Sequence, residues 1–395
     1  MFDFCINGGG MVGSALALGL AQQGYHIAVI EPVTPMAFSA EQGPDLRVSA
    51  ISHASVTLLK ALGAWSAIER MRLKPYTALS VWETADVTTF SADMANIDTL
   101  GYFVENRLLQ LGCMQALKGF ENVTWLSDKT IRHIAQNEDG ASLTLDNDEC
   151  LDCRYLIGAD GAASQVRSAA NIGTSGWQYG QQAMGIVIEL EQDSGSETWQ
   201  QFTPDGPRAF LPMYGNMASL IWYDSPQVLN RIKGLSDSEL KAQIRDHFPA
   251  KLNEQAAEFT IRGKAAFPLS RSHASAYVAA PYILIGDAAH TINPLAGQGV
   301  NLGFKDVETL LAVTADKPDL NIPDFASQLR QRYEIPRRRE NLQMMTAMDG
   351  FYLLFSNNIG PIKWIRNQLL SATEHFELGK RSVLKYALGM NEWKF

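Results

Sequence analysis

A chain of 395 residues is long enough for two or three domains, and 46% hydrophobic with 19% charged residues excludes a disordered or fibrous polymer. Its net charge of −9 argues against nucleic acid as the main partner. Four cysteines suit a reducing compartment better than a disulfide framework, so a cytoplasmic location is expected.

The first predicted element is a strand, Phe2 to Asn7. It starts so close to Met1 that no signal peptide is expected, and no apolar stretch approaches the roughly 18 residues that span a bilayer. Gly8-Gly9-Gly10-Met11-Val12-Gly13 follows, then a helix from Ser14 to Gln23. This is G-x-G-x-x-G with Gly8, Gly10 and Gly13 in the three positions. Gly8 permits the tight turn, Gly10 lets a pyrophosphate approach the backbone beside Met11 and Val12, and Gly13 lets helix pack on strand. A second strand, His26 to Ile30, ends in Glu31, 18 residues after Gly13, where an acid can bind the ribose hydroxyls of an adenosine. Together these mark a dinucleotide site without distinguishing FAD from NAD.

A proline-containing loop, Pro32 to Pro44, leads into Asp45-Leu46-Arg47-Val48. Val56, Leu59, Leu62, Trp65 and Ile68 recur at helical spacing, which predicts one helix from Ala54 to Met71 with those residues in the core. Leu79 to Phe103 reads as strands and loops, and Val104 to Gln110 opens another helix. Val123 to Leu126 and Ser142 to Leu145 are strand-like, with Asn137-Glu138-Asp139-Gly140 a hairpin turn. Cys150 and Cys153 form a single C-x-x-C; without a second pair it is a poor zinc site, and no metal is expected. Tyr155 to Arg167 reads as strand, tight turn and helix, with Asp160 in the turn.

From Gly176 to Leu269 the character changes. Met184 to Leu190, Thr198 to Phe202, Ala209 to Met213 and Ala218 to Tyr223 read as short strands separated by turn signals. They predict an antiparallel sheet inserted into the nucleotide domain. Phe210, Trp222 and Tyr223 are candidates for lining an apolar pocket on it. Ser236 to Phe248 reads as a helix, and Phe259 to Leu269 as the return to the nucleotide domain.

Tyr282-Ile283-Leu284-Ile285 suits a strand buried on both faces. Gly286-Asp287 places a carboxylate at its carboxyl edge, where open α/β sheets bind ligands. Pro294-Leu295-Ala296-Gly297-Gln298-Gly299-Val300-Asn301 is a glycine-rich turn into a helix that begins near Val300. That N-terminus can hold a phosphate or the anionic face of a reduced ring. Gly297 and Gly299 let a flat ligand come close. Asp324 to Met348 reads as a long helix kinked at Pro336, where Arg337-Arg338-Arg339 form a basic knot. Arg330 to Phe395 holds 11 basic and 6 acidic residues together with Phe351, Tyr352, Trp364 and Leu369. This end is a candidate for contact with an anionic membrane surface or an acidic partner.

Gly286-Asp287 and the string from Pro294 to Gly303, closed by Asp306, resemble the GD motif and following loop of FAD-dependent aromatic hydroxylases. These are the class A flavoprotein monooxygenases typified by p-hydroxybenzoate hydroxylase. Within them the string is similar to the UbiH/UbiF group of ubiquinone-biosynthesis hydroxylases, although Asn293 stands where many members carry His. Asp160-Gly161 resembles the DG motif of the same enzymes. The resemblance implies an α/β fold: a Rossmann-like FAD-binding domain, an inserted antiparallel-sheet substrate domain, and C-terminal helices. It divides the chain into residues 1–75, 101–175 and 265–340 for FAD, 76–100 and 176–264 for substrate, and 341–395 for the helices.

The same resemblance implies FAD as cofactor, NAD(P)H or another reductant as electron donor, and O2 as cosubstrate. A flavin hydroperoxide would hydroxylate the ring of a polyprenylated quinol or phenol. The substrate would be met at a membrane surface or within a ubiquinone-biosynthesis complex. Arg47 would reach the flavin pyrophosphate, Asn106 would contact FAD, and Asp160 would hold the dinucleotide region together. Gly286 and Asp287, the loop residues Pro294, Gly297, Gln298 and Gly299, and the backbone of Val300 and Asn301 would support the flavin. No side chain is assigned to covalent or acid–base catalysis. A sister hydroxylase acting at another ring position, a flavin-dependent reductase of isoprenoid double bonds and a non-catalytic FAD subunit would share these motifs.

Overall fold

The computed structural model describes residues 1–84, 87–292, 299–321 and 323–355, with side chains to residue 350. The first strand, β1 (Phe2–Asn7), leads through the glycine loop into α1 (Met11–Gln22) and β2 (Ile27–Glu31). After the proline loop comes β3 (Val48–Ser52). The single helix expected from Ala54 to Met71 is two, α2 (His53–Ala61) and α3 (Trp65–Met71). Gly63 interrupts it at φ +76°, a conformation that glycine adopts without steric strain. Helical spacing of the apolar residues persists across the break because both pieces pack on one core. Three short strands, β4 (Lys74–Tyr76), β5 (Ala78–Trp82) and β6 (Thr88–Ser91), precede β7 (Gly101–Glu105), which runs straight into α4 (Asn106–Leu117). Then follow β8 (Val123–Ser127), the hairpin of β9 (Ile131–Gln136) and β10 (Ala141–Leu145), β11 (Cys150–Gly158) and the short α5 (Gln165–Ala169).

The inserted segment contains β12 (Thr174–Leu190), β13 (Glu197–Gln201), β14 (Arg208–Pro212) and β15 (Met217–Asp224). Three helices follow, α6 (Pro226–Lys233), α7 (Asp237–His247) and α8 (Ala250–Gln255). A capping box between Ser236 and Glu239 starts α7. Next is β16 (Phe259–Ala274), expected to rejoin the nucleotide domain; instead it pairs with β12 from Phe259 to Ala274 and stays in the inserted sheet. Then come β17 (Val278–Ala279), β18 (Tyr282–Leu284), β19 (His290–Thr291), α9 (Gly299–Thr314), α10 (Asp324–Leu329) and α11 (Ile335–Phe355). The disturbance expected at Pro336 is a π turn over Arg330–Glu334. A wider turn there accommodates the proline's missing N–H and its ring.

Two large sheets organise these elements. The first runs β17-β18-β11-β1-β2-β8, parallel from β18 to β8. β2 and β18 are buried throughout, as in a sheet covered on both faces. Parallel pairing brings Asn7, Gly158 and Leu284 into register at one carboxyl edge. The second sheet runs β19-β16-β12-β15-β14-β13-β5-β6 and is antiparallel except where β5 meets β13. A small third sheet pairs β3, β7 and β4. This is the expected α/β architecture.

Successive side chains alternate across a strand, and that alternation sorts the aromatic residues of the second sheet. Met184, Ile186 and Ile188 of β12, Phe210 of β14, and Leu220 and Trp222 of β15 share one face. They form a core with Leu229, Ile232, Leu240 and Ile244 from α6 and α7. Trp199 stacks on Phe210 with ring centroids 5.7 Å apart. Phe210 and Trp222, expected to line a pocket, are therefore core residues with 0% exposure. Tyr223 lies on the opposite face with Ala183 and Ile221. Farther along that face Val187 and Met217 meet Leu46 and Val48 of the nucleotide domain. Phe210→Ala is expected to lower the unfolding free energy in urea by about 3–5 kcal/mol. Half-buried Leu211, its neighbour on the other face, should cost less than half as much when changed to Ala.

Candidate active site

The glycine loop is shaped by close backbone approach. A Cβ on Gly8 would lie 2.4 Å from the Ala159 carbonyl oxygen, and one on Gly13 would lie 1.9 Å from the Gly8 carbonyl oxygen. Gly8 also has φ +99°. Gly10 is different: among the described residues nothing lies within 4 Å of a Cβ built there. Gly10 is the N-cap of α1 and offers no side-chain cap, so the first N–H groups, at Met11, Val12 and Gly13, face an open approach. A diphosphate fits this cradle by charge and by space. Glu31 sits beside it, nearly buried, accepting from Gly9 N at 2.6 Å and Val33 N at 3.1 Å. Gln110 of α4, which the sequence did not single out, donates to the Gly9 carbonyl at 2.9 Å.

Asp160 faces inward. Its Oδ2 accepts from Asn7 Nδ2 at 2.9 Å and Gln165 N at 2.7 Å, so it joins the end of β1 to the start of α5. Its Oδ1 is buried without a hydrogen-bond partner. Asn106 opens α4 and accepts from the Ser49 hydroxyl at 2.7 Å. Cys150 and Cys153 are free, one exposed and the other buried; three residues apart on β11, they fall on opposite faces and do not converge.

Arg47 is exposed, and its guanidinium lies 4.7 Å from the centroid of the Phe267 ring. No ion pair occupies it among the described residues. The loop before it is pinned by a buried pair that the sequence did not reveal. Arg72 Nε meets Glu105 Oε1 at 2.6 Å. Arg72 also donates to the carbonyls of Gln42 at 2.8 Å and Gly43 at 3.0 Å and to the Tyr214 hydroxyl at 2.9 Å. Glu105 in turn accepts from Asp45 N at 2.7 Å. Leu46 completes the seating: its side chain would contact a Cβ on Gly263 at 2.8 Å. Arg47 is thus held out from a fixed loop with its charge free.

At the end of β18, Gly286 turns with φ +58° and presents Asp287. Solvent reaches the Asp287 side chain, yet surrounding protein desolvates it enough to raise its pKa, opposed by the nearby charges of His290 and Arg47. The Asp287 carboxylate has no hydrogen-bond partner among the described residues. The turn is anchored from behind by Asp306 of α9, which is 0% exposed. Asp306 Oδ2 accepts from Gly286 N at 3.0 Å and pairs with His290 Nε2 at 2.5 Å; Oδ1 accepts from Arg337 Nε at 2.8 Å. Burial alone would push the Asp306 carboxyl up, but His290 and Arg337 overcome it and hold it at about 2. Arg337, expected in an exposed basic knot, is 1% exposed and belongs to this anchor. A buried carboxylate recruited it.

Among the loop residues, Pro294, Gly297 and Gln298 lie outside the described residues. Gly299 starts α9, and the nearest described atom to a Cβ there is on Ile292, 3.9 Å away. Val300 is the next residue of that open helix start. The Asn301 side chain faces the protein: it donates to the Ala50 carbonyl at 2.8 Å and accepts from Ser52 N at 3.0 Å and the Ser55 hydroxyl at 2.8 Å. It ties α9 to the junction of β3 and α2.

These elements fit a flavin dinucleotide. The glycine cradle suits a diphosphate, Glu31 suits ribose hydroxyls, and, among the described residues, Arg47 has no ion pair and exposed Asp287 no hydrogen-bond partner. Beside Arg47, the nucleotide-facing side of the second sheet offers Phe267, Ala183 and Tyr223 in register across β16, β12 and β15, with Ile221 two residues on, opposite Gly185. Tyr223 is 3% exposed and burial raises its pKa, so its hydroxyl stays neutral.

Comparison with known proteins places these features in a family. Residues 1–316 match the family described as FAD binding domain. The chain is 46% identical to the 3-demethoxyubiquinol 3-hydroxylase of Escherichia coli, over 98% of each chain. It is 32% identical to the ubiquinone hydroxylase UbiL of Rhodospirillum rubrum, over 98% of this chain and 89% of that one. The p-nitrophenol 4-monooxygenase PnpA of Pseudomonas putida shares the fold with a TM-score of 0.79 at 15% identity, over 100% of this chain and 99% of that one.

The two acidic positions make separable predictions. Asp287→Ala removes an acceptor that holds nothing else in place. It is expected to weaken FAD retention by about tenfold or more, as the loss of a charged hydrogen bond of about 1.5–3 kcal/mol would, with little change in Tm. Asp160→Ala should weaken FAD retention less and lower Tm more. Flavin content after gel filtration and thermal unfolding separate the two outcomes; equal flavin loss would contradict the assignment.

Proposed function

This chain belongs to the ubiquinone-biosynthesis hydroxylases of the FAD-binding-domain family, and from that premise we propose that it hydroxylates the ring of a polyprenylated benzoquinol. The observation that carries the reading is that Arg47, with no ion pair among the described residues, lies close enough for its charge to act on Asp287, whose carboxylate has no hydrogen-bond partner among them. Arg47 also lies over Phe267, on the apolar face of the second sheet. A cofactor side and a substrate side are thus present together. The ring chemistry of 3-demethoxyubiquinol, taken from the Escherichia coli relative's name, is the substrate class we favour.

Bound FAD, reduced by NAD(P)H or another donor, would supply the activation of molecular oxygen and the atom that enters the ring. The chain's own residues bind and orient. The cradle at Gly10, Met11, Val12 and Gly13 receives the pyrophosphate together with Arg47, whose planar fork suits two phosphate oxygens. Glu31 accepts from the adenosine ribose, and Asp287 accepts from a ribityl or ribose hydroxyl. The amide of Asn106 is a further contact, and the N-terminus of α9 at Gly299 and Val300 favours negative charge on the reduced ring. Half-buried Ile221 and Phe267 hold the quinol and exclude water, which strengthens every charge interaction beside them, and Tyr223 packs among Ala183, Leu269 and Met348 as their support. Phe210 and Trp222 act only as the core beneath that face.

The flavin reductase of isoprenoid double bonds and the sister ring hydroxylase are separable by product. Incubation with NAD(P)H and a short-chain prenylated quinol under air is expected to give a product one oxygen atom heavier, and none without oxygen. A product heavier by two hydrogens, formed anaerobically, would overturn the proposal. The ring position follows from the fragmentation of the product.

A polyprenyl chain is too apolar to cross water alone, so the substrate must arrive from a membrane or a partner protein. Among the described residues no helix is long and apolar enough to cross a membrane. Exposed Ile335 and Leu342 on α11 lie one heptad apart with exposed Arg339 between them. This favours a peripheral contact continuing into residues 356–395, which lie outside the described residues. Basic residues near an anionic surface contribute about 1 kcal/mol each. Flotation with anionic vesicles should therefore fall with added salt and with Arg330, Arg332 and Arg339 changed together to Glu. Binding unaffected by both would point to a purely structural role for this end.

A further inference from the structure

Helix α11 is fastened at two places that belong to different halves of the site. Near its start, buried Arg337 donates to Asp306 Oδ1 at 2.8 Å, to Asn341 Oδ1 at 2.7 Å and to the Leu302 carbonyl at 3.3 Å. Asp306 is also the acceptor of Gly286 N. This end therefore holds the turn that presents Asp287. Twelve residues on, about 18 Å along a helix, Asp349 accepts from the Tyr179 hydroxyl of β12 at 2.5 Å. The same carboxylate pairs with Arg271 of β16, with Nε–Oδ2 at 2.8 Å and both side chains largely buried. Met348 packs against Ala183, Tyr223 and Leu269 on the nucleotide-facing side of the sheet.

We propose that Asp349 is a positioning residue for hydroxylation: by clamping α11 to Tyr179 and Arg271, it sets the height of the Ala183–Tyr223 sheet face relative to the Asp287 turn. The argument rests on the reading of the site given above. A helix is stiff over this length, so the two fastenings fix one distance between cofactor side and substrate side. Among the described residues no other side chain of α11 has this arrangement. Asp349 is bonded to Tyr179 and paired with Arg271 rather than aimed at a ligand. Its effect on the reaction is geometric. Misplacement of a reacting ring by as little as 1 Å costs heavily in rate.

The test uses the full-length flavoprotein with Asp349→Asn and Tyr179→Phe, each of which keeps the shape of the side chain. Three quantities are read together: FAD content, KM and kcat for a prenylated quinol, and hydroxylated product formed per NAD(P)H oxidised. Both variants are expected to keep wild-type FAD content. Product per NAD(P)H should fall by about threefold or more, as electrons are lost to peroxide when the ring is misplaced. The quinol-induced change in the flavin absorbance should shrink in parallel. A wild-type ratio in both variants overturns the proposal. If Asp349→Asn fails to fold, Tyr179→Phe alone decides by the same ratio. Absence of hydroxylated product from the unaltered protein would instead refute the reading of the site on which this inference stands.

Discussion

A carboxylate without access to water must be neutralised where it lies, and Asp306 is neutralised by groups from three directions. Arg337 arrives from α11, His290 from β19, and Gly286 N from the turn after β18. Removing one partner of a buried ion pair leaves an uncompensated charge, at a cost of about 3–5 kcal/mol. These elements therefore cannot shift independently. Asp287 follows Gly286 directly, so its direction is inherited from a residue nineteen positions later in the chain. Placing an exposed carboxylate next to such an anchor fixes its direction without using that carboxylate itself.

The remainder of the cofactor side rests on the same logic in other materials. At the glycine loop the constraint is steric: Gly8, Gly13 and Ala159 bring two strand ends and a helix start so close that a methyl group would not fit. At the Arg47 loop it is again a buried pair, Arg72 with Glu105, whose spare hydrogen bonds hold Gln42, Gly43 and Asp45. Each device leaves one group unspent and accessible. Gly10 leaves free backbone N–H groups, Arg47 a free guanidinium, and Asp287 a free carboxylate. The second sheet contributes an apolar surface, and Arg271 of β16 pairs with Asp349 of α11 beside it.

The cofactor side was largely legible in the residues because its requirements are local. A tight turn demands glycine at Gly8, a helix start supplies N–H groups at Met11 and Val12, and an acid must follow the second strand at Glu31. The strand over Phe2–Asn7 and the helix that starts after Ser236 are equally local, and the expected and observed elements coincide there. The helix break at Gly63 was less legible because both helices bury the same side. Their apolar spacing passes through the break undisturbed.

What the sequence determined by itself was the presence of a dinucleotide fold, its glycine cradle and its carboxylates at the strand ends. The tertiary structure alone decided which side of the inserted sheet faces them. Phe210, Trp222 and Tyr223 are equally apolar in sequence, and both faces of that sheet are covered, one by α6 and α7 and the other by the nucleotide domain. Only the packing partners assign Phe210 and Trp222 to the core under α6 and α7, and Tyr223 to the opposite face with Ala183 and Leu269. Arg337 shows the same principle for charge. Three consecutive arginines read as solvated surface until a carboxylate thirty-one residues earlier is buried against one of them. Local sterics and backbone hydrogen bonds are written in neighbouring residues, whereas the partner of a face or a charge comes from a distant part of the chain.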